Sequence, residues 1–235
     1  MNRIHPATRL LAAVCLLLLY CACSDKSETA EPAPVPRAWE GTIVAVGDSL
    51  TAGLGVAEEA AYPARLQQKL LDAGYRYQVI NAGISGETSS GLRSRIEWVL
   101  TLAPDIVIIE TGANDGFRGI APELIRKNLE ETVDILQQKG ITVVLAGMQM
   151  VRNLGEAYTR DFAGIYSAVA RSRELIFMPF FLEGVAGEDE LNQADGIHPT
   201  EQGYVVVVER LFPYVVQAVR QKQSKRTEKP IRQES

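Results

Sequence analysis

Short apolar runs alternate with longer amphipathic segments along most of the chain. Five of these runs are rich in β-branched or aliphatic residues and have the length of strands that are buried on both faces: Thr42–Val46, Tyr77–Ile80, Ile106–Glu110, Thr142–Ala146 and Leu175–Met178. Apolar residues three and four positions apart predict helices over Pro63–Ala73, Gly91–Leu102, Pro122–Lys139, Thr159–Ser172 and Glu201–Arg220, although Val205–Val208 in the last has a strand-like composition. Strands that alternate with helices form right-handed βαβ units, so the pattern predicts a parallel sheet covered by helices on both faces.

The N-terminus has the order of an export signal. Arg3 and Arg9 precede the apolar run Leu10–Tyr20, which is followed by small residues and cysteines. This run is shorter than the roughly 20 residues of a transmembrane helix, so residues 1–22 are predicted to be a signal peptide, with a permanent anchor helix as the alternative. Ala22–Cys23 is similar to a bacterial lipobox, which implies lipidation of Cys23. Cleavage before Cys21, or by ordinary signal peptidase, is the alternative.

Composition suggests what surrounds the domain. All three cysteines lie in or beside the export segment, so the predicted domain has no thiol for a disulfide or a zinc site. Residues 23–40 are rich in Ser, Glu, Ala and Pro and are predicted to be a linker, residues 41–220 the folded domain, and the basic residues 221–235 a disordered tail. The net charge of −5 argues against a nucleic-acid partner, since phosphate binding requires clustered Lys and Arg.

Histidine is the scarcest candidate for catalysis. The chain has two, and one lies in the export segment, so a histidine-dependent mechanism in the domain must use His198. Asp195 precedes it by three residues in a turn that contains Gly and Pro, and such a carboxylate can orient the ring and leave Nε2 free as a base. A surface turn with an incidental histidine is the alternative.

Three other segments follow predicted strands, where sites form in parallel sheets. Ser49 is placed at a helix start, where backbone N–H groups can stabilise an oxyanion, or where the serine or Asp48 merely caps the helix. Asn114 can donate to an oxyanion through its amide, and Gly86 through its backbone N–H. Each of these residues is also ordinary in a turn, so no segment is decisive by itself.

The ordered set of segments resembles the SGNH (GDSL-type) hydrolases, in particular the bacterial branch of arylesterases and periplasmic thioesterase/lysophospholipases. The matching blocks are Gly47–Asp48–Ser49, Gly86, Gly112–Ala113–Asn114–Asp115 and Asp195–Gly196–Ile197–His198. The resemblance implies a three-layer α/β/α fold with a five-stranded flavodoxin-like sheet. It also implies Ser49 as nucleophile, His198 as base and Asp195 as its orienting carboxylate, with an oxyanion hole from Ser49, Gly86 and Asn114.

The implied activity is hydrolysis of aryl or short-to-medium acyl esters, and of acyl thioesters, in an exported protein without metal or organic cofactor. Lysophospholipids and acetylated glycans are alternative substrates, and a non-catalytic flavodoxin-like binding module is an alternative of another class. A metal-dependent phosphoesterase would use Asp48, Asp115, Asp195 and His198. The segment 147–155 lacks the proline usual in this branch, and Met148, Met150 and Val151 are candidates to line an acyl groove, with ordinary packing as the alternative.

Overall fold

A five-stranded parallel sheet is the centre of the domain. The computed structural model describes residues 38–150 and 154–227. The strands are β1 Gly41–Gly47, β2 Tyr77–Gly83, β3 Ile106–Glu110, β4 Thr142–Ala146 and β5 Ile176–Met178. They are arranged in the order β2-β1-β3-β4-β5, which is the flavodoxin-like order. This confirms the fold class predicted from the alternation of strands and helices.

Eight α-helices connect and cover the strands in the described ranges. They are α1 Ser49–Ala52, α2 Tyr62–Asp72, α3 Ser89–Ser94, α4 Ile96–Thr101, α5 Ala113–Phe117, α6 Pro122–Gln138, α7 Glu156–Ser172 and α8 Glu201–Thr227. The single helix predicted over Gly91–Leu102 is two helices that meet at Arg95. The backbone N–H of Arg95 bonds to the carbonyl of Leu92, three residues back rather than four, so the regular α-helical hydrogen bonding is interrupted there.

The last helix is longer than predicted. Residues 221–227, expected in a disordered tail, belong to α8, while residues 228–235 lie outside the described ranges. Lys222 Nζ lies 3.5 Å from Asp105 Oδ1, and the Arg226 guanidinium lies 2.8 Å from the same atom. These basic side chains pair with a carboxylate just before β3, and the pairing holds the final turns against the domain.

Burial differs between the central and edge strands. Every residue of β3 and β4 is buried, because each of these strands has a strand on both sides and helices on both faces. The prediction that β2 is buried on both faces is wrong: β2 is an edge strand, and Gln78 and Asn81 are exposed.

Val207 and Val208 are buried within α8, where core packing outweighs the strand propensity of valine. In the ranges described, no helix is long and apolar enough to cross a membrane.

Candidate active site

The turn between β1 and α1 presents a serine at the carboxyl edge of the sheet. Asp48 caps α1, since its Oδ1 accepts from the backbone N–H of Leu50 at 3.0 Å, and Ser49 is the first residue of the helix. A Cβ atom on Gly47 would overlap with the Thr51 hydroxyl and the Glu110 carbonyl oxygen. The turn therefore requires glycine at position 47 for close packing against β3.

Ser49, His198 and Asp195 form a continuous hydrogen-bonded chain. Ser49 Oγ lies 2.8 Å from His198 Nε2, and His198 Nδ1 lies 2.7 Å from Asp195 Oδ2. The carboxylate is an acceptor, so Nδ1 carries the ring proton and Nε2 is free to accept from the serine hydroxyl. The structure thus brings together three residues that are up to 149 positions apart in the sequence.

The turn that carries Asp195 and His198 is held by the same carboxylate. Asp195 Oδ1 accepts from the backbone N–H groups of Ile197 at 2.9 Å and His198 at 3.0 Å. The backbone N–H of His198, then its ring and the Ile197 N–H, lower the pKa of Asp195 to about 2. Asp195 is therefore ionised at neutral pH and able to orient the imidazole.

Two further predicted site residues face the serine. Ser49, His198, Gly86 and Asn114 line one pocket of about 280 Å³. Gly86 has a positive φ of 80°, and its carbonyl accepts from the Arg118 guanidinium at 3.0 Å. Asn114 Nδ2 donates to Asp48 Oδ2 at 3.0 Å, which uses one of its two amide hydrogens and leaves the other available.

Asp48 is buried beneath this pocket, with 1% of its surface exposed. Burial raises its pKa to about 6, although donation from Leu50 and Asn114 opposes the shift. The carboxylate therefore has two roles in the geometry: it caps α1 and it fixes the side chain of Asn114.

The loop that carries Gly86 is fastened at both ends. Glu87 makes two contacts of 2.6 Å with the Arg95 guanidinium, which also donates to the Ala82 carbonyl at 2.7 Å. Asp115 accepts from the backbone N–H of Ser89 at 2.7 Å and from its hydroxyl at 2.6 Å. Sequence reasoning did not identify Glu87 or Arg95, and the only signal for them was an acidic residue directly after Gly86.

The four residues that a metal-dependent phosphoesterase would use have separate hydrogen-bond partners within the protein. Asp115 binds Ser89, Asp48 binds Leu50 and Asn114, and Asp195 binds His198. In residues 38–150 and 154–227, no group of three or more His, Cys, Asp or Glu side chains is arranged to hold a metal ion.

The predicted acyl-groove methionines are not in this pocket. Met148 and Met150 are only 3% and 8% exposed, and Met150 packs against Gly116 of α5. Val151 lies outside the described residues. The pocket wall is instead formed by apolar side chains of α1, of α5 and of two loops near the serine, namely Leu50, Leu54, Ala113, Phe117 and Ile197. The expectation for the two methionines is corrected, because both are buried outside the pocket and Met150 packs on α5.

Comparison with known proteins gives relatives over most of the chain. Esterase TesA of Pseudomonas aeruginosa is 41% identical over 173 residues, which is 73% of this chain and 86% of that protein. Thioesterase 1/protease 1/lysophospholipase L1 of Escherichia coli strain K12 is 33% identical over 159 residues, 67% of this chain and 75% of that protein. A crystal structure of TesA superposes with a TM-score of 0.73 at 40% identity, covering 75% of this chain and 99% of that one.

The model of the GDSL-like lipase/acylhydrolase family matches residues 45–206, a span that includes all four sequence blocks and all five strands except the first residues of β1. The resemblance inferred from the sequence is thereby confirmed. With its sheet order, its serine turn and these relatives, this chain belongs to the GDSL-like lipase/acylhydrolase (SGNH hydrolase) family.

Proposed function

We propose that this protein is a serine esterase that hydrolyses aryl and short-to-medium acyl carboxylic esters, and acyl thioesters, through an acyl-enzyme on Ser49. The observation that carries the proposal is the chain of contacts from Ser49 Oγ to His198 Nε2, 2.8 Å, and from His198 Nδ1 to Asp195, 2.7 Å. A nucleophile in hydrogen-bond contact with a base, which a third group orients, is the arrangement that acyl transfer requires.

The reaction proceeds in two half-reactions. Ser49 Oγ attacks the carbonyl carbon while its proton passes to His198 Nε2, and the imidazolium then gives that proton to the departing alcohol or thiol. Water attacks the acyl-enzyme with His198 again as base, and collapse releases the carboxylic acid and restores the serine. Asp195 stays ionised and stabilises the imidazolium throughout.

We assign the stabilisation of the negative charge that develops on the carbonyl oxygen to three hydrogen-bond donors. These are the backbone N–H groups of Ser49 and Gly86 and the free amide hydrogen of Asn114. Support comes from their position around one pocket and from the contact with Asp48, which leaves one Asn114 hydrogen available. Donors fixed in advance are worth more than mobile ones, because no reorganisation is required when the charge appears.

The pocket wall favours an acyl or aryl group over a sugar. Leu54, Phe117 and Ile197 are each exposed by more than a third and flank the serine. Apolar side chains at the mouth can cover a hydrocarbon chain, and burying each methylene is worth about 0.8 kcal/mol. We therefore place acyl esters and thioesters ahead of acetylated glycans, and lysophospholipids remain the second substrate class because their acyl ester suits the same wall.

We also infer that the protein is exported and tethered to a bacterial membrane through lipidated Cys23, in the periplasm or at the outer membrane. Cys23 and the export segment lie outside the described residues, so the support is the order of charged, apolar and small residues in the sequence. Replacing Cys23 by Ser should release the protein from the membrane fraction. A wild-type mature N-terminal peptide whose mass shows no lipid would overturn the tether but not the esterase.

The enzymatic test compares two serines of the same pocket. Purified full-length protein and its Ser49→Ala and Ser85→Ala variants are assayed with nitrophenyl esters of increasing chain length, an acyl-CoA, a lysophospholipid and an acetylated xylan. We expect Ser49→Ala to abolish turnover and Ser85→Ala to retain it, and an organophosphonate to add its mass to the Ser49 peptide alone. Near-normal hydrolysis by Ser49→Ala would refute the mechanism, and preference for the xylan would refute the substrate class.

A further inference from the structure

Another buried carboxyl lies beside the nucleophile turn, Gly47–Asp48–Ser49, and has no part in the mechanism above. Glu110 is the last residue of β3 and has no exposed surface. Its Oε2 accepts from the Thr51 hydroxyl at 2.9 Å, while its Oε1 is buried without a hydrogen-bond partner. A carboxyl placed this deep requires a reason, since burial without full hydrogen bonding costs free energy.

The contacts of Glu110 lead to Ser49. Thr51 lies two residues after the serine in the four-residue α1, is fully buried, and has the Tyr62 hydroxyl 3.4 Å from its own. Gly47, which precedes the Asp48–Ser49 pair, has no side chain because Glu110 and Thr51 occupy that space. The carboxyl therefore supports the nucleophile turn from both sides.

Only one of the two neighbouring carboxyls can hold the negative charge at neutral pH. Asp48 accepts from the Leu50 backbone N–H and from the Asn114 side-chain amide, whereas the side-chain donor to Glu110 is a hydroxyl. Burial is the largest influence on the pKa of Glu110 and raises it, and the charges of Asp48 and Glu87 add to that shift; the Thr51 hydroxyl and the Asp48 backbone N–H oppose it but do not outweigh it. Two such carboxyls cannot both ionise in a buried site, so the charge belongs to Asp48 and the proton to Glu110.

The unpartnered oxygen agrees with this assignment. Leaving a buried oxygen without a donor costs much less free energy on a neutral acid than on a carboxylate. Burial, and secondarily the charge of Asp48, hold the pKa of Glu110 well above its usual range. A neutral Glu110 also leaves Asp48 as the anion that fixes Asn114.

We propose that Glu110 is a positioning residue for Ser49, acting as a neutral carboxylic acid that holds Thr51 and the nucleophile turn. The proposal rests on the esterase function proposed above. It assigns a specific task to a buried acid at the end of an otherwise apolar strand.

Glutamine is the isostere of a neutral acid, so Glu110→Gln tests the protonation state. We expect Glu110→Gln to keep a kcat close to that of the wild type. Glu110→Leu leaves the Thr51 hydroxyl without its acceptor, and its kcat should fall about 100-fold with little change in KM, as for a catalytic group displaced by about 1 Å. A Glu110→Gln variant as inactive as Glu110→Leu, or a folded Glu110→Leu with wild-type kcat, would overturn the proposal.

A second pair of variants covers the case in which Glu110→Leu does not fold. Thr51→Val removes the hydroxyl that Glu110 binds and keeps the shape of the side chain. Thr132→Val is the matched control, because Thr132 is an equally buried threonine whose hydroxyl bonds only within α6. We expect both to lose stability but only Thr51→Val to lose kcat, and equal kcat in the two would contradict the positioning role.

The protonation state can also be measured without any activity. At pH 7 the infrared spectrum of the full-length wild-type protein should contain a carboxylic-acid carbonyl band that is missing in Glu110→Gln. Absence of such a band would show an ionised Glu110 and refute this inference, whether or not Ser49 is the nucleophile. Conversely, an active Ser49→Ala would refute the esterase mechanism and leave the infrared result intact.

Discussion

Removing the amide of Asn114 should reduce turnover rather than substrate binding. The Asn114→Ala variant loses one of the three proposed oxyanion donors, and loss of one such donor costs about 2.7–4 kcal/mol, or a factor of about 10²–10³ in kcat. The side chain lies at the pocket beside Ser49, so the loss falls on the transition state, where the charge develops. An effect confined to KM would mean that Asn114 only positions the substrate.

The structure extends this prediction to Asp48, which holds Asn114 at 3.0 Å. In Asp48→Asn the oxygen can still cap α1 by accepting from Leu50, but the new NH₂ group then faces the NH₂ group of Asn114. Two donors cannot bond to each other, so Asn114 must turn away, and kcat should approach that of Asn114→Ala. The double variant should be hardly slower than either single one, because both changes remove the same interaction.

The assay is a double-mutant cycle on a nitrophenyl ester, with kcat and KM measured separately for the four proteins. Urea unfolding of each variant is the control for stability, since a loss of folded protein would lower the apparent kcat without any effect on the oxyanion hole. Strictly additive losses would show that Asp48 acts independently of Asn114. That result would refute the reasoning from the 3.0 Å contact.

Three other predictions concern the turn that carries Ser49 and its partner His198. Ser49→Ala and His198→Ala should each lower kcat by several orders of magnitude, and the double variant should lower it hardly more, because the nucleophile and its base act as one unit. Steady-state assays in which the loss of kcat in the double variant equals the product of the two single losses would contradict this. The pKa of Asp48, raised to about 6, means that the folded protein binds a proton that the unfolded chain, with a pKa of about 3.9, has already released. The wild type should therefore lose stability relative to Asp48→Asn as pH rises from about 4 to about 6. A constant difference between the urea midpoints of the two proteins over this pH range would refute the prediction. Gly47→Ala should destabilise by about 1–3 kcal/mol, the usual cost of overpacking, which thermal or urea unfolding measures; an unchanged midpoint would show that the turn has room.

Sequence by itself determined the fold class and the order of the site segments. β-branched apolar runs separated by amphipathic segments have few stable arrangements other than a parallel sheet between two helical layers. In such a sheet the carboxyl ends of the strands lie on one edge, so Ser49, Gly86 and Asn114 were expected there together. Asp195 and His198 needed no tertiary information, because a three-residue turn lets the carboxylate reach the ring locally.

Tertiary structure alone decided which side chains are buried at the ends of elements. Glu110 follows four apolar residues, and a sequence does not distinguish a terminal acid that faces solvent from one that packs beneath a neighbouring turn. Met148 and Met150 both follow β4, and their position in the sequence is compatible with the pocket. Met150 packs against Gly116 of α5 instead, which the sequence does not show. The polar sequence of the final turns of α8 does not show whether they extend into solvent or pack on the domain. In the structure, Lys222 and Arg226 pair with Asp105, more than 100 residues away in sequence, and this pairing holds the turns on the domain. Contacts between distant segments depend on the packing of whole elements, and local periodicity carries no information about them.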